Sequence, residues 1–481
     1  MIKTVYKIVC LSIFLFSSCL LFSQDVFPEK PDAFCEEFCN SLDKIRLDGK
    51  EGKELAESFE LFWTSDTLSL DEKDDFIETA NLLVTKGARE WPHLFIYAEN
   101  MMLFYRHGFD SGQYHEWRNG LITLLKERNY INAKKISEYQ LYANDILRDS
   151  VMFRHARITW KVSQFPDNIG YNEDDGVYIR FSNLNIYGLY GNDSLIIKGT
   201  SGTAYPMDEK WKGQYGKVTW ERVLLSPDSV YADLNNYQID LTKTKYTADS
   251  ARFVNLNYFD EALYGTLEDK ALNIDNPTKS SYPRFSTYTK KFKMENVLEG
   301  IDYEGGFNMK GQDFMGIGLK DQKARIIIAK SDTIKMVAKS ESFTLDPKRI
   351  FSKNTDITLH LSEDSIYHPN LIMKYSFKNK LLTLERDKEG MSKVNFTNSY
   401  HKLHMDFTLL QWHIEKYKMQ FGIMKSMSEV NEAFFESADF FSEKKYRDIQ
   451  VRDQVHPFVR LENFVQEWGE SEFKLNDFAR Y

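Results

Sequence analysis

The feature that most limits what this chain can fold into is an alternation of apolar and polar side chains that runs from about residue 152 to residue 425. It is clearest in SPDSVYADLNNYQIDLTKTKYTADSARFVNLNYF, Ser226 to Phe259, where Tyr237, Ile239 and Leu241 alternate with Gln238, Asp240 and Thr242. A period of two places one set on the core side of a pleated strand and the other in water. Val254, Leu256 and Tyr258 alternate with Asn255 and Asn257 in the same way, which predicts a further strand. Strands joined by short polar turns must cover their edges by pairing with neighbours. The pattern therefore predicts an elongated antiparallel β-body built as a sandwich, a jelly-roll or a solenoid.

The turns carry a degenerate repeat, an Asp followed by Ser or Thr and then an apolar residue. It occurs at Asp193-Ser194-Leu195, Asp228-Ser229-Val230, Asp249-Ser250-Ala251, Asp332-Thr333-Ile334 and Asp364-Ser365-Ile366. An Asp carboxylate accepts backbone hydrogen bonds in a tight turn, and the apolar residue that follows starts a strand. DSVYADLNNYQIDL from Asp228 and DSIYHPNLIMKYSF from Asp364 are closer kin, each with a Tyr three residues after the Asp. Between them, Gly305, Gly306, Gly311, Gly316 and Gly318 are followed by no helix pattern and no Lys-Ser or Lys-Thr. They read as hairpin and bulge glycines, not as a phosphate loop. The polar, basic stretch over residues 276–294 reads as a linker between β sub-domains at 152–275 and 295–425.

Helical patterns flank the alternation, making the chain α+β and multidomain. Over residues 32–150 apolar residues recur at three and four, as in Phe76, Ala80 and Leu83 or Trp117, Leu121 and Leu125. About five antiparallel helices are expected, as a small bundle or a short helical array. Ser69 with Glu72 forms a capping box, Pro92 opens a helical turn, Asn132 caps a helix, and Gly87 and Gly108 suit left-handed stops. Phe95, Tyr97, Phe104 and Tyr105 form an aromatic stripe read as core. Residues 426–481 return to a longer period: EAFFESADFFSEKKYRDI and HPFVRLENFVQEW read as helices, and the segments around GESEFKL resemble the opening of a winged helix-turn-helix serving as a packing module. The one-turn helix ending at Tyr481 cannot bury a face alone, so the natural chain is expected to continue.

Lys3 and Lys7 precede an apolar run from Ile8 to Phe22, the pattern of a signal peptide over residues 1–23. Two cleavage readings stand: after Ser23, or at Phe16-Ser17-Ser18-Cys19, which resembles a lipobox and would leave Cys19 lipidated. The chain is therefore expected to be exported to the periplasm, the outer membrane or the cell surface. No later segment reaches the roughly 20 apolar residues of a spanning helix, so no transmembrane span is expected in the mature chain. With 71 acidic against 62 basic side chains there is no overall positive field to displace phosphate counterions, which argues against a nucleic-acid partner. Cys35 and Cys39 share one helix face; they form a disulfide in an oxidising compartment or serve as small apolar residues on the buried side.

TADSARF, LYGTLED and DSIYHPNLIMKYSFKNKLLTLER resemble the strand grammar of the OstA-like β-jelly-roll domains of lipopolysaccharide-transport proteins. That resemblance implies an open apolar trough. The ordering of leader, helices, Asp-Ser strands, EGGF, SIYHP and SYHKLHMDF also resembles the N-terminal portion of a group of large uncharacterised exported proteins of Bacteroidota. Neither resemblance brings catalytic residues or a cofactor.

Candidate chemistry is sparse. In SYHKLHMDF, strand periodicity puts His404 and Asp406 on one face, with His401 and His413 nearby; two ligands do not make a catalytic metal site. His360 and His368 bracket the turn at Asp364, and Glu173, Asp174 and Asp175 read as a solvated turn. The expectation is a non-enzymatic exported envelope protein that scaffolds, binds envelope proteins or handles lipid or glycolipid. The alternative is a glycan-binding or glycan-cleaving β-protein, which would show aromatic platforms in a cleft and, for cleavage, two facing carboxylates.

Overall fold

The computed structural model describes residues 26–45, 51–108, 111–127, 133–319, 321–330, 333–346, 348–387, 394–416, 418–425, 428–430, 433–439, 441–450, 454–469, 472–473 and 475–481. The expected leader, with Cys19, lies outside them, as do Asn132 and Asp332. The chain is α+β and multidomain: an N-terminal helical region, a large antiparallel β region and a short C-terminal helical piece. It divides into two units, Met1–Thr289 with Asn308–Asp313, and Lys290–Phe307 with Phe314–Tyr481. No helix among the described residues is long and apolar enough to cross a membrane.

Unit 1 begins with α1 (Pro31–Asp43), α2 (Glu51–Thr64), α3 (Leu70–Thr85), α4 (Phe95–Arg106), α5 (Ser111–Lys126) and α6 (Ala133–Asp149). The capping box opens α3: Ser69 accepts from the Glu72 amide, and the Glu72 carboxylate accepts from the Ser69 amide at 2.8 Å. Gly87 and Gly108 take positive φ just after α3 and α4, as their stop role requires. The core is aromatic. Phe34, Phe38, Phe59, Trp63, Phe76 and Tyr97 are buried in successive ring contacts, Phe76 stacking on Tyr97 at 4.5 Å. Such pairs add about 0.5–1.5 kcal/mol each beyond area burial.

The helices and the following strands belong to the same unit. Strands β1 (Val151–Arg154), β2 (Thr159–Val162), β3 (Asn168–Asn172), β4 (Gly176–Tyr190), β5 (Asp193–Tyr205) and β6 (Lys210–Gln214) lead into β7 (Lys217–Thr219), β8 (Val230–Asp233) and β9 (Asn236–Asp240). β10 (Lys245–Asn255), β11 (Leu263–Lys270) and β12 (Arg284–Thr287) complete the run. The Tyr171 hydroxyl donates to Glu127 at the end of α5 at 2.6 Å, and Gln113 Nε2 donates to the Asp167 carbonyl at 3.1 Å. Gly120 permits this approach, since a Cβ there would lie 2.8 Å from the Tyr171 amide.

The ladder forks on its long strands. Residues 201–205 of β5 pair with β6, whereas Lys198 pairs with β7; β6 continues to β9 and β7 to β8, and both branches rejoin on β10. Bulges mark the division, with Asn183 of β4, Gly199 of β5 and Ser250 of β10 all at positive φ. Tyr237, Ile239 and Leu241 are buried and Gln238 and Asp240 exposed, as their alternation requires.

Unit 2 uses the same device. Its strands are β13 (Phe292–Leu298), β14 (Ile301–Lys310), β15 (Asp313–Ile317), β16 (Ala324–Lys330), β17 (Thr333–Ser340), β18 (Ser342–Leu345) and β19 (Arg349–Leu361). There follow β20 (Asp364–Ser376), β21 (Leu381–Glu385), β22 (Phe396–Asn398), β23 (Leu403–Asp406), β24 (Leu409–His413), β25 (Met419–Lys425), β26 (Ser428–Val430) and β27 (Phe434–Ser437). Around a bulge with Asn354 at φ 53°, β19 pairs with β17 by one half and β18 by the other, and β20 divides likewise between β22 and β21. Asn308–Lys310 of β14 belong to unit 1, where they pair with β12. α7 (Glu443–Gln450), α8 (Pro457–Trp468) and α9 (Leu475–Phe478) close the chain, with Phe464 buried among the rings of Trp468, Phe473 and Phe478.

Several local expectations are corrected. The run Val254, Leu256, Tyr258 is not one strand: β10 ends at Asn255 and Leu256 is exposed in the turn that follows. Asp249-Ser250 does not start a strand but forms the β10 bulge, where the Ser250 amide donates to the Tyr288 hydroxyl at 2.9 Å. The stretch 276–294 is not all linker. Phe285 of β12 is fully buried and stacked on Phe253 at 4.3 Å, and its polar neighbours Arg284 and Ser286 are the outer side of that strand. Residues 434–437 form a strand, β27, because their backbone pairs with β23 despite the helix-like spacing of Phe434 and Phe435.

Candidate functional site

A groove of about 1000 Å³ lies in unit 1 on the outer side of β3, β4, β5, β6 and β9. Register builds its floor. Asn168 stands opposite Arg180, Arg180 opposite Thr203, Thr203 opposite Lys212, and Lys212 opposite Gln238, one polar row across five strands. At a strand spacing of 4.7–4.9 Å this row is about 19 Å long. Ser201, Gln214 and Asn236 form a second row beside it. The other side of the same strands is core, with Ile179, Phe181, Ala204, Trp211 and Ile239 buried.

The two cations are held by rings. The Arg180 guanidinium lies 4.7 Å from the centre of the Tyr178 ring, and Lys212 Nζ lies 4.6 Å from that of Tyr205. Each contact is worth about 0.5–1 kcal/mol at an exposed site and limits the side chain's freedom. Among the described residues neither cation is ion-paired, and the one carboxylate in the lining is Asp167. Asn168 Oδ1 is buried without a hydrogen-bond partner among the described residues. A buried acceptor of this kind costs free energy until a donor reaches it.

The layer beneath is hydrogen-bonded and closely packed. The Tyr237 hydroxyl contacts Thr200 Oγ1 at 2.7 Å and accepts from Trp211 Nε1 at 3.3 Å; burial, opposed by these bonds, pushes its pKa up to about 12. Gly202 and Gly213 leave space for the rings and the ladder, since a Cβ at Gly202 would lie 2.3 Å from the Lys212 carbonyl oxygen and one at Gly213 2.3 Å from the Tyr237 ring.

A buried ionic cluster ties the same unit together. Arg222 reaches Asp269 at 2.5 Å and Asp193 at 3.4 Å, and also donates to the carbonyls of Ser194 at 2.9 Å and Lys270 at 3.2 Å. Asp193 accepts from the amides of Ser194 and Leu272, the former being the tight-turn role expected of the Asp-Ser repeat. Burial raises the Asp269 pKa against the pull of Arg222. The cluster lies below the surface and joins the start of β5 to the end of β11.

The residues singled out in the sequence are scattered. His404 of β23 borders a recess with Tyr367, Thr397 and Glu436, while Asp406 pairs with Arg386 at 2.6 Å. Among the described residues there is no group of three His, Cys, Asp or Glu that could hold a metal. His360 and His401 come together in another recess of unit 2, with Lys335, Lys416 and Trp412; His413 lies on β24. His368 is fully buried, its Nδ1 accepting from the Asn370 amide at 3.0 Å, so that Nε2 carries the proton and donates to the Val394 carbonyl at 2.9 Å. Burial lowers its pKa to about 4.

Cys35 and Cys39 are free thiols with sulfurs 3.9 Å apart on α1. Closing them to the roughly 2.05 Å of a disulfide would distort a helix whose Phe34 and Phe38 are fully buried. Glu173, Asp174 and Asp175 occupy the β3–β4 turn in solvent. Gly305 and Gly316 lie in strands against the Tyr303 ring and Gly311 in a turn at positive φ, as strand and hairpin glycines.

Sequence reasoning missed Asn168, Arg180, Thr203, Lys212 and Gln238. Each is an ordinary outward residue of its strand, and only the register makes them one row. No family model, no curated protein and no solved structure matches the chain.

Proposed function

We propose that this is an exported binding protein of the cell envelope whose first unit holds a hydroxyl-rich, acidic glycan along its outer sheet face. The observation that carries the reading is the row Asn168, Arg180, Thr203, Lys212 and Gln238, whose two cations have no ion pair among the described residues and lie against tyrosine rings. Amides and hydroxyls both donate and accept, which suits sugar hydroxyls, and guanidinium and ammonium groups suit a uronate or similar carboxylate. The length of the row matches a short oligosaccharide better than a single ring. The polar row favours this ligand over an acyl chain, for which burying the row would cost desolvation without return.

Holding fits the groove better than cutting. Among the described residues lining it there is one carboxylate, Asp167, whereas glycosidic hydrolysis generally needs two flanking the bond. The leader pattern at Lys3, Lys7 and Ile8 to Phe22 supports export. The test is a glycan array probed with the full mature chain, carrying neutral and uronate-containing oligosaccharides. Retention of acidic oligosaccharides is expected; retention of none, or of lipid alone, would overturn the proposal.

A further inference from the structure

A chain with 71 acidic and 62 basic side chains should on average present acidic clefts. One recess in unit 2 does the opposite. It encloses about 440 Å³ and is lined by Lys290, Lys291, Lys323, Arg325 and Lys339, with Glu304 and Asp321 as the acids among its described lining. Register assembles it: Arg325 of β16 stands opposite Glu304 of β14 on one side and Lys339 of β17 on the other.

Part of this charge is already used. Glu304 pairs with Lys291 at 2.7 Å and with Arg325 at 3.1 Å, and Lys323 pairs with Asp356 at 3.0 Å. Lys290 and Lys339 are exposed, and among the described residues neither is ion-paired. Arg325 Nε is buried without a hydrogen-bond partner among the described residues. Cations held together in a concave wall repel one another and focus a positive potential into the recess. An anion entering it relieves that repulsion.

We propose that this recess binds a phosphoryl group, carried either by a small soluble molecule or by a lipid headgroup. A tetrahedral, multiply charged oxyanion takes donors from several directions at once, which the point charges of Lys290 and Lys339 and the planar fork of Arg325 supply. The enclosed volume takes one headgroup, not a stretch of polymer. The site is independent of the groove in unit 1, so either reading can fail alone.

The test uses the full mature chain and inorganic pyrophosphate in a calorimetric titration at low salt, with K290A/K339A as the variant. Both side chains are exposed, so the variant should keep the wild-type melting temperature. Saturable one-to-one binding that weakens at least tenfold in the variant is expected. Absence of saturable binding to the wild type, or equal affinity in a folded variant, would overturn the proposal. Vesicles of phosphatidylcholine with and without phosphatidic acid separate the sources. Retention on phosphatidic acid vesicles that pyrophosphate competes away assigns a lipid headgroup, and pyrophosphate binding without retention assigns a soluble phosphate. Retention that pyrophosphate does not affect counts against the recess.

Discussion

Replacing Arg222 with Met leaves two buried carboxylates, Asp193 and Asp269, without their shared counter-charge. Their side chains are 0% and 2% exposed, so water cannot take over. Removing one partner of a buried ion pair costs about 3–5 kcal/mol, because what remains is an uncompensated buried charge. That is a large part of the roughly 5–15 kcal/mol by which a domain is stable. The variant also loses the bonds to the Ser194 and Lys270 carbonyls, which places it toward the upper end.

The loss must depend on pH in a defined sense. Burial already raises Asp269 against the pull of Arg222, and without Arg222 the shift grows. The folded-state pKa then lies further above the unfolded value of about 3.9, so the folded protein binds the proton more tightly. Stability of the variant falls as pH rises from about 4 through the raised pKa, and the deficit is smaller in acid. Urea unfolding of the full chain, followed by tryptophan fluorescence at acid and neutral pH, measures both quantities. Expected are a deficit of about 3–5 kcal/mol at neutral pH, a smaller one in acid, and partial recovery in the D193N/R222M/D269N triple variant. A deficit under about 1 kcal/mol at neutral pH, or one that grows in acid, would refute the assignment of Arg222 as the necessary counter-charge.

Three other outcomes are expected. The neutral, buried His368, with its pKa lowered to about 4, makes the wild type lose on the order of 3 kcal/mol as pH falls from about 6.5 toward that value, and His368→Asn flattens this part of the stability profile; an unchanged profile in the variant contradicts the role. Gly202→Ala forces a methyl to within 2.3 Å of the Lys212 carbonyl oxygen and should cost about 1–3 kcal/mol by prying β5 from β6, read as a lowered melting temperature. Fractionation of a native host should recover the chain outside the cytosol with its N-terminus removed after Ser23 or modified at Cys19, and an intact N-terminus in the cytosol would end the export reading.

Much of the fold was legible because alternation and capping are local. Tyr237, Ile239 and Leu241 had to be buried together on any strand, and Ser69 with Glu72 could satisfy the first turn of α3 without outside help. What escaped depends on partners distant in the chain. Asp249-Ser250 resembles the other Asp-Ser turns, yet the pairing of β10 with β11 on both sides makes it a bulge. Phe434 and Phe435 have helical spacing, but pairing with β23 fixes them in a strand.

The candidate groove was hidden for the same reason. Lys212 meets Gln238 because β6 pairs with β9 past β7 and β8, and alternation specifies which face a residue takes but not which strand lies beside it. The histidines were visible by their chemistry and dispersed by the same registers, His368 into the core and His404 to a recess of its own.

The most direct test of the central claim is a calorimetric titration of the best-retained acidic oligosaccharide into the wild type and into R180M/K212M. Hydrogen bonds to charged groups contribute about 1.5–3 kcal/mol each, so affinity should fall at least tenfold while the melting temperature stays close to that of the wild type. Equal affinity in a folded variant would contradict the account.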